Sequence, residues 1–243
     1  MKALLFPGQG VQKVGMIDFL LESNPEIKDL ITQTSDVLDF DLFELVKNGP
    51  ESKLNLTEYA QPAILAASLA IAKNKASFFN ASITAGLSLG EYSALVFAEC
   101  IEFKEAIRLV NARGKLMQNA VPEGTAGMLV ILNMPLPDVR ETIIKIKNSG
   151  EVIDFSTDNA EGVSVLAGTN SAIDATIKYI EEGDFKRVKT QLIKMSVPSH
   201  CSLLKSAQTE LGKLLNEVEF KTPKIPIIPN ALAKPTQDVK EIK

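Results

Sequence analysis

The sequence predicts an α/β protein with a parallel sheet and a smaller inserted α+β subdomain. Two observations support this prediction. Short apolar strands alternate with helical patterns in the first half of the chain. After Pro122-Glu123-Gly124 the pattern changes to one richer in strands. The expected division is a discontinuous core, residues 1–123 and 193–243, and a subdomain, residues 124–192.

The core is expected to begin with a buried strand, residues 2–6, that Pro7 and Gly8 end. The segment 63–76 is so rich in Ala, Leu and Ile that its helix should be buried on most sides. The remaining predicted core elements are helices at 15–22, 24–38, 91–98, 103–118 and 202–218, the start of the apolar helix at 56, and strands at 81–85 and 225–229.

The inserted subdomain shows the order strand, helix, strand, strand, helix, strand. This order is the ferredoxin-like pattern. Its predicted strands are 127–132, 152–157, 163–167 and 185–192, and its helices are 137–148 and 171–182.

Composition excludes several classes of function. The net charge of −4 argues against a general nucleic-acid binder. We expect no membrane segment and no signal sequence, because no apolar run is long enough to span a bilayer and Met1–Leu5 runs straight into a turn. Two isolated cysteines indicate a reducing, cytoplasmic location. The single histidine, His200, excludes a metal site built from several histidines.

The segment 86–90, Gly-Leu-Ser-Leu-Gly, lies between a predicted strand and a predicted helix. This is the context of a nucleophile elbow, which presents Ser88 at a sharp turn. The helix that follows favours negative charge at Ser88, and the backbone N–H of Leu89 is suited to an oxyanion hole. The alternative interpretation is a plain Gly/Ser turn.

A serine hydroxyl needs a base, and His200 is the only imidazole in the chain. It follows Ser88 late in the sequence, the order found in hydrolase-like α/β folds. The alternative is a surface histidine. Cys201 beside it is a minor alternative nucleophile, although no elbow surrounds it.

Two further segments carry candidate binding residues. Arg113 follows the elbow helix, and a guanidinium there could bind a substrate carboxylate, but the residues alone do not favour Arg113 over Arg108. Gln9 lies in a Pro-Gly turn at the carboxyl end of the first strand, where ligands of α/β sheets collect. Its backbone N–H could serve the same oxyanion, and a plain turn is the alternative.

Five segments in order resemble the malonyl-CoA:acyl carrier protein transacylase family. They extend over nearly the whole chain: LLFPGQGVQ (4–12), TEYAQPAIL (57–65), GLSLGEYSAL (86–95), RGKLMQNAVPEGTAGM (113–128) and SVPSHCSLL (196–204).

This resemblance implies an α/β-hydrolase-like core with a ferredoxin-like insert. It implies that Ser88 carries the acyl group and that His200 is its general base, with Gln9 and Leu89 as oxyanion donors. It implies that Arg113 pairs with the malonyl carboxylate and that Gln61 lines the same pocket. Malonyl-CoA and acyl carrier protein are the implied substrate and partner, with no cofactor and a monomeric enzyme.

The chain departs from the family at two places. Leu87 stands where the family usually has histidine, and we expect the chemistry to survive with an altered pocket wall. The sequence ends at Lys243, where family members continue to a glutamine whose backbone carbonyl orients the histidine. We therefore expect a C-terminally short member whose base could lack this support.

The residues leave two rival functions open. A serine hydrolase or thioesterase on the same fold would release free malonate, and a catalytically impaired fragment acting as a binding module would form no acyl-serine. Acyl carrier proteins are acidic, so a docking surface should be basic. Candidates are Lys186, Arg187, Lys189 and Lys194, and a solvated strand face is the alternative.

Overall fold

The computed structural model describes residues 2–21, 26–74, 80–193 and 195–243. The chain forms two compact units, one of Met1–Lys115 and Leu211–Lys243 and the other of Leu116–Glu210. The first contains a parallel sheet and the second a separate antiparallel sheet. The α/β class with two sheets is therefore confirmed. The predicted subdomain, 124–192, lies inside the second unit, which extends further at both ends.

Seven strands occur in the described residues: β1 (Ala3–Phe6), β2 (Ile83–Gly86), β3 (Ala126–Leu132), β4 (Ile153–Ala160), β5 (Val163–Thr169), β6 (Lys189–Ile193) and β7 (Ile227–Ile228). The described helices are α1 (Asp18–Leu21), α2 (Glu26–Thr32), α3 (Leu42–Asn48), α4 (Glu51–Leu54), α5 (Thr57–Asn74), α6 (Leu89–Phe97), α7 (Phe103–Ala120), α8 (Leu136–Asn148), α9 (Asn170–Glu182), α10 (Lys205–Glu217) and α11 (Val239–Ile242). Two short 3₁₀ turns lie at Gln33–Asp36 and Ser202–Leu204.

The sheet of the first unit has the order β1-β2-β7 with all strands parallel. Phe6 is in register with Gly86, and Ala85 with Ile228, so the carboxyl ends of all three strands reach the same edge. Ligands of open α/β sheets bind at this edge. The loop after β1, the turn after β2 and the residues after β7 are therefore neighbours.

The core of the first unit is built around α5. Its side chains are buried on nearly all sides, including Ala63, Leu65 and Leu69, as the apolar segment predicted. It packs against α6, whose Ala94 and Leu95 are also buried. Burial of apolar area contributes roughly 25 cal/mol per Å², so this helix pair is a main source of the unit's stability.

The sheet of the second unit has the order β4-β5-β3-β6 with antiparallel neighbours. Helices α8 and α9 contribute the buried residues Val139, Ile143 and Ile173 to one core with Leu129 and Leu166. The predicted order of strands and helices in this segment is confirmed.

Several predicted boundaries were wrong; the helix expected at 24–38, for example, ends at Thr32 and is followed by a 3₁₀ turn. The strand expected at 185–192 begins only at Lys189, because the Phe185 ring instead packs 5.6 Å from that of Tyr179. The strand expected at 225–229 is reduced to Ile227–Ile228 because prolines flank it and lack the N–H that a ladder needs. The helix expected at 202–218 opens with a 3₁₀ turn.

Parts of three other predicted helices, residues 22, 24–25 and 75–76, lie outside the described residues. No helix in the part of the chain that the structure describes is long and apolar enough to cross a membrane.

Candidate active site

Ser88 occupies a sharp turn between β2 and α6. Its backbone angles are φ 52° and ψ −103°, and it is the residue immediately before the helix. A non-glycine residue in such a conformation costs about 1–3 kcal/mol, and such strain is concentrated at functional sites. The predicted strand-turn-helix context of a nucleophile elbow is present.

The two glycines of the pentapeptide make this turn sterically feasible. A Cβ on Gly86 would lie 2.0 Å from the backbone carbon and oxygen of Gly90. A Cβ on Gly90 would lie 2.4 Å from the Phe6 carbonyl oxygen. No side chain fits at either position, so the elbow closes on itself and lies directly against the end of β1.

Arg113 reaches the candidate nucleophile from α7. Its Nη2 donates a hydrogen bond to Ser88 Oγ across 2.8 Å. Burial lowers the pKa of the guanidinium, and the nearby Tyr92 and Glu91 oppose that shift. The side chain is partly buried and therefore carries its charge in a partly desolvated place, where a carboxylate partner would be held more strongly than in water.

The packing of α7 on α5 fixes the backbone that carries this arginine. A Cβ on Gly114 would lie 2.5 Å from Glu58 Cα and 2.7 Å from the Thr57 carbonyl oxygen. One turn earlier, Asn111 Nδ2 donates to the Glu58 carbonyl oxygen at 2.9 Å. Since only glycine permits this approach, the backbone next to Arg113 is held against the start of α5.

Arg108, the other arginine considered on α7, lies on a different face. It forms an exposed ion pair with Glu105 at 2.6 Å. The structure thus distinguishes Arg113, which contacts Ser88, from Arg108, which does not lie at the site; the sequence alone did not favour either.

Two ionisable side chains of α6 lie near the arginine. Burial raises the pKa of Glu91, while the Asn230 backbone N–H and Arg113 lower it. Burial also raises the pKa of Tyr92, with Arg113 acting in the opposite direction. The surroundings of Arg113 are therefore polar but poorly hydrated.

Two other sequence-predicted residues of the first unit, Gln9 and Leu89, follow β1 and β2 at the same sheet edge. Gln9 follows β1, and its Nε2 donates to Thr57 Oγ1 at 3.1 Å. Leu89 is the first residue of α6, so its N–H has no acceptor within the helix. Gln61 is fully buried on α5. Gln9 lies beside Gly8, where a Cβ would come 2.9 Å from the Leu87 carbonyl oxygen.

Leu87 is the residue that departs from the usual family pattern. Leu87 is 53% exposed, and its side chain lies beside Gly8. A Cβ added at Gly8 would lie 3.3 Å from Leu87 Cγ. Its backbone N–H donates to the Phe6 carbonyl oxygen at 3.1 Å. The leucine therefore forms an apolar, solvent-facing wall next to Ser88.

His200 belongs to the second unit, where it is exposed and has a φ of 56°. Strand β4 holds the backbone on both sides of it. Ser156 Oγ donates to the Ser199 carbonyl oxygen at 2.9 Å. Asp154 Oδ2 accepts from Ser202 N at 2.7 Å and from Ser202 Oγ at 2.6 Å.

Asp154 is itself fixed by Lys147, whose Nζ lies 2.6 Å from its other carboxylate oxygen. Burial acts to raise the pKa of Asp154, but the hydrogen bonds from Lys147 and Ser202 outweigh it and the net pKa is lowered. The carboxylate is thus ionised at neutral pH and anchors the segment that carries His200.

Cys201 was a minor alternative nucleophile. Burial, its main influence, raises the pKa of its thiol, and its side chain packs with Met128 and Val165. Reactive cysteines have lowered pKa values, so these surroundings disfavour Cys201 as a nucleophile. Among the described residues no group of His, Cys, Asp and Glu is arranged to hold a metal ion.

Sequence reasoning missed Asn230. This residue follows β7 and bonds the backbone of the elbow through its side chain, with Oδ1 2.6 Å from Ser88 N. The signal was a polar residue just after a strand of the parallel sheet, where functional residues collect. Asp154 and Ser156 were also missed, because their positions on a strand carry no motif.

A family model described as "Acyl transferase domain" matches residues 3–241. A malonyl CoA-acyl carrier protein transacylase of Haemophilus influenzae is 41% identical, with the alignment covering 99% of this chain and 77% of the relative. A malonyl CoA-acyl carrier protein transacylase of Salmonella typhimurium is 36% identical, and the alignment covers 99% of this chain and 78% of that relative.

Solved structures agree with the sequence relatives. The crystal structure of FabD from Acinetobacter baumannii superposes with a TM-score of 0.92 at 36% identity, covering 99% of this chain and 76% of that one. A malonyl-transacylase in complex with its type II PKS acyl-carrier protein superposes with a TM-score of 0.92 at 40% identity. The superposition covers 99% of this chain and 77% of that one. With its strained serine, its partly buried arginine and a match along nearly all its length, the chain belongs to the acyltransferase family of the malonyl CoA-acyl carrier protein transacylases.

Proposed function

We propose that this protein transfers a malonyl group from malonyl-CoA to the phosphopantetheine thiol of acyl carrier protein, through an ester on Ser88, for fatty acid biosynthesis. The relatives named above carry out malonyl transfer by name. The observation that carries the proposal is the 2.8 Å hydrogen bond from Arg113 to Ser88 Oγ. It joins a nucleophile in an elbow to a cation able to bind the free carboxylate of the acyl group.

In the first half-reaction, His200 accepts the proton of Ser88 as Oγ attacks the thioester carbonyl carbon. The carbon–sulfur bond then breaks, and coenzyme A leaves as the thiol with the proton from His200. In the second half-reaction the carrier thiol gives its proton to His200 and its sulfur attacks the ester. Ser88 then leaves and regains the proton, so the enzyme is unchanged.

The negative charge that develops on the carbonyl oxygen needs hydrogen-bond donors. We assign this role to the backbone N–H groups of Leu89 and Gln9. The N-terminus of α6 supports the assignment, since a helix N-terminus favours negative charge. Gln61, fully buried on α5, is proposed to line the acyl pocket.

Selectivity follows from the partly buried charge of Arg113. A malonyl group presents a carboxylate to the guanidinium, whereas an acetyl group leaves the cation desolvated and without that partner. Arg113 then exchanges its contact with Ser88 Oγ for contacts with the malonyl carboxylate. No cofactor is required beyond malonyl-CoA as the substrate.

The finer fold assignment is also proposed: an α/β-hydrolase-like core and a ferredoxin-like subdomain. The parallel order β1-β2-β7 with an elbow after β2 supports the first. The strand order β4-β5-β3-β6, with a helix after β3 and another after β5, supports the second. We further propose a cytoplasmic monomer, in keeping with two free cysteines.

Docking of the acidic carrier is assigned to Lys186, Arg187 and Lys189. These side chains are exposed between α9 and the start of β6. Lys194, predicted with them, lies outside the described residues.

Intact-mass spectrometry after mixing with malonyl-CoA tests the function. We expect a malonyl adduct that is absent from Ser88→Ala and that acyl carrier protein discharges. An adduct that decays to free malonate as fast without the carrier would identify a hydrolase. The complete absence of an adduct would instead favour a binding module.

A further inference from the structure

Asn230 joins the end of the parallel sheet to the turn that holds Ser88. Its Oδ1 accepts the backbone N–H of Ser88 at 2.6 Å, and its Nδ2 donates to the Gly86 carbonyl oxygen at 2.6 Å. One amide thus bonds the residues on both sides of Leu87. Because these partners are 142 and 144 positions away in sequence, the contact depends on the assembled sheet.

The backbone groups that Asn230 bonds lie where regular secondary structure ends and begins. Ser88 precedes α6, so its N–H has no acceptor in the helix. Gly86 ends β2, where the strand ladder stops. A side-chain amide has one acceptor and one donor group, and here it supplies both.

The asparagine is held in place from two directions. Its own backbone N–H donates to Glu91 Oε2 at 3.0 Å, and Glu91 belongs to the first turn of α6. Its chain position is set by β7, since Ile228 is in register with Ala85 of β2. The asparagine, the elbow and the start of α6 therefore form one closed hydrogen-bonded ring.

We infer that Asn230 is a positioning residue for the nucleophile, which aims Ser88 Oγ by fixing the strained backbone on either side of Leu87. This inference rests on the proposed function, in which Ser88 carries the acyl group. It also assigns the Ser88 N–H to a structural bond. The N–H of Leu89 is thereby the elbow's donor to the oxyanion.

The test compares wild type, Asn230→Ala and Asn230→Asp in single-turnover acylation by malonyl-CoA, followed by intact mass. The affinity for malonyl-CoA is measured separately with each change placed on Ser88→Ala. We expect Asn230→Ala to slow acylation by about 100-fold, because small misplacements of a reacting atom have effects of this size. The dissociation constant should change by less than about threefold, since ground-state contacts persist.

Asn230→Asp separates the two bonds of the amide. It keeps an acceptor for the Ser88 N–H but loses the donor to Gly86, so we expect an intermediate loss of about tenfold. Gln237→Ala is the matched control. It removes a side-chain bond to the Pro223 carbonyl oxygen at 2.8 Å in the same C-terminal segment and should acylate at the wild-type rate.

Acylation of folded Asn230→Ala at the wild-type rate would overturn the inference, as would a loss that tracks the dissociation constant alone. If Asn230→Ala does not fold, Asn230→Asp decides by the same two measurements. The proposed function is judged separately: it fails if wild type forms no adduct that depends on Ser88. If wild type forms that adduct and the Asn230 variants match its rate, only the positioning role is lost.

Discussion

Arg113 Nη2 lies 2.8 Å from Ser88 Oγ, within one unit of the fold. A guanidinium is a bidentate donor suited to a carboxylate, and in the proposed function Arg113 exchanges this contact for the carboxylate of the acyl group. The proposed nucleophile and the proposed selectivity group are therefore one hydrogen-bonded pair.

Arg113→Ala should reduce kcat/KM for malonyl-CoA by about 100-fold, because a hydrogen bond to a charged group contributes about 1.5–3 kcal/mol. Acetyl transfer should be unchanged or improved, since the desolvated cation that rejects it is gone. Steady-state rates with both acyl-CoA substrates measure the ratio. Arg108→Ala on the same helix is the control and should keep the malonyl preference. Unchanged selectivity in Arg113→Ala would remove this arginine from acyl recognition.

Gly90→Ala should lower the free energy of unfolding by about 3 kcal/mol, because overpacking a closed site has costs of this size. The added Cβ would lie 2.4 Å from the Phe6 carbonyl oxygen. Urea unfolding followed by circular dichroism measures the change. Gly212→Ala in α10 meets nothing within 4 Å and should instead stabilise the protein by about 0.5–1 kcal/mol. Equal effects of the two changes would contradict the closed turn.

Charge reversal at Lys186 and Arg187 should raise the KM for acyl carrier protein by about tenfold at low salt, because surface charges steer association. The effect should shrink as salt is added. Acylation by malonyl-CoA should not change, and the two half-reactions are measured separately. Lys178→Glu on α9 is the control, since its exposed ion pair with Glu182 lies outside the proposed surface. Equal effects on both half-reactions would refute the docking role.

Asp154→Asn should destabilise the protein at neutral pH. The pKa of Asp154 is lowered in the folded state. The ionised carboxylate therefore stabilises the fold at pH values above its ordinary pKa of 3.8. That contribution is lost as the pH falls through the lowered pKa of the folded state. Thermal unfolding of wild type and variant should therefore differ at pH 7 and converge under acid conditions. Asp158→Asn, an exposed carboxylate on the same strand, is the control.

Asp154→Asn also tests the anchoring of the His200 segment. We expect slower acylation at unchanged affinity for malonyl-CoA, because the bonds to Ser202 are weakened. Wild-type acylation by a variant with the expected loss of stability would show that these bonds serve the fold and not the base.

Local signals in the sequence were sufficient for much of this structure. The strand, turn and helix around Ser88 follow from two glycines and a change of period, and the buried helix α5 follows from its apolar composition. Partners distant in sequence were beyond such signals. Asn230 contacts Ser88 across 142 positions; its place after a strand indicates only a position at the sheet edge and does not show which backbone groups it bonds. The choice of Arg113 over Arg108 likewise needed the packing of α7.

Gly114 sets a limit on how the substrate range of this protein can change. Its backbone lies so close to the start of α5 that a Cβ added at Gly114 would come 2.5 Å from Glu58 Cα, so any shift of α7 toward α5 would bring the two backbones into collision. An enzyme with a movable helix could admit a bulkier acyl chain by a small shift of backbone. Here, the close backbone contact at Gly114 makes exchange of side chains the less costly way to accommodate a new acyl group.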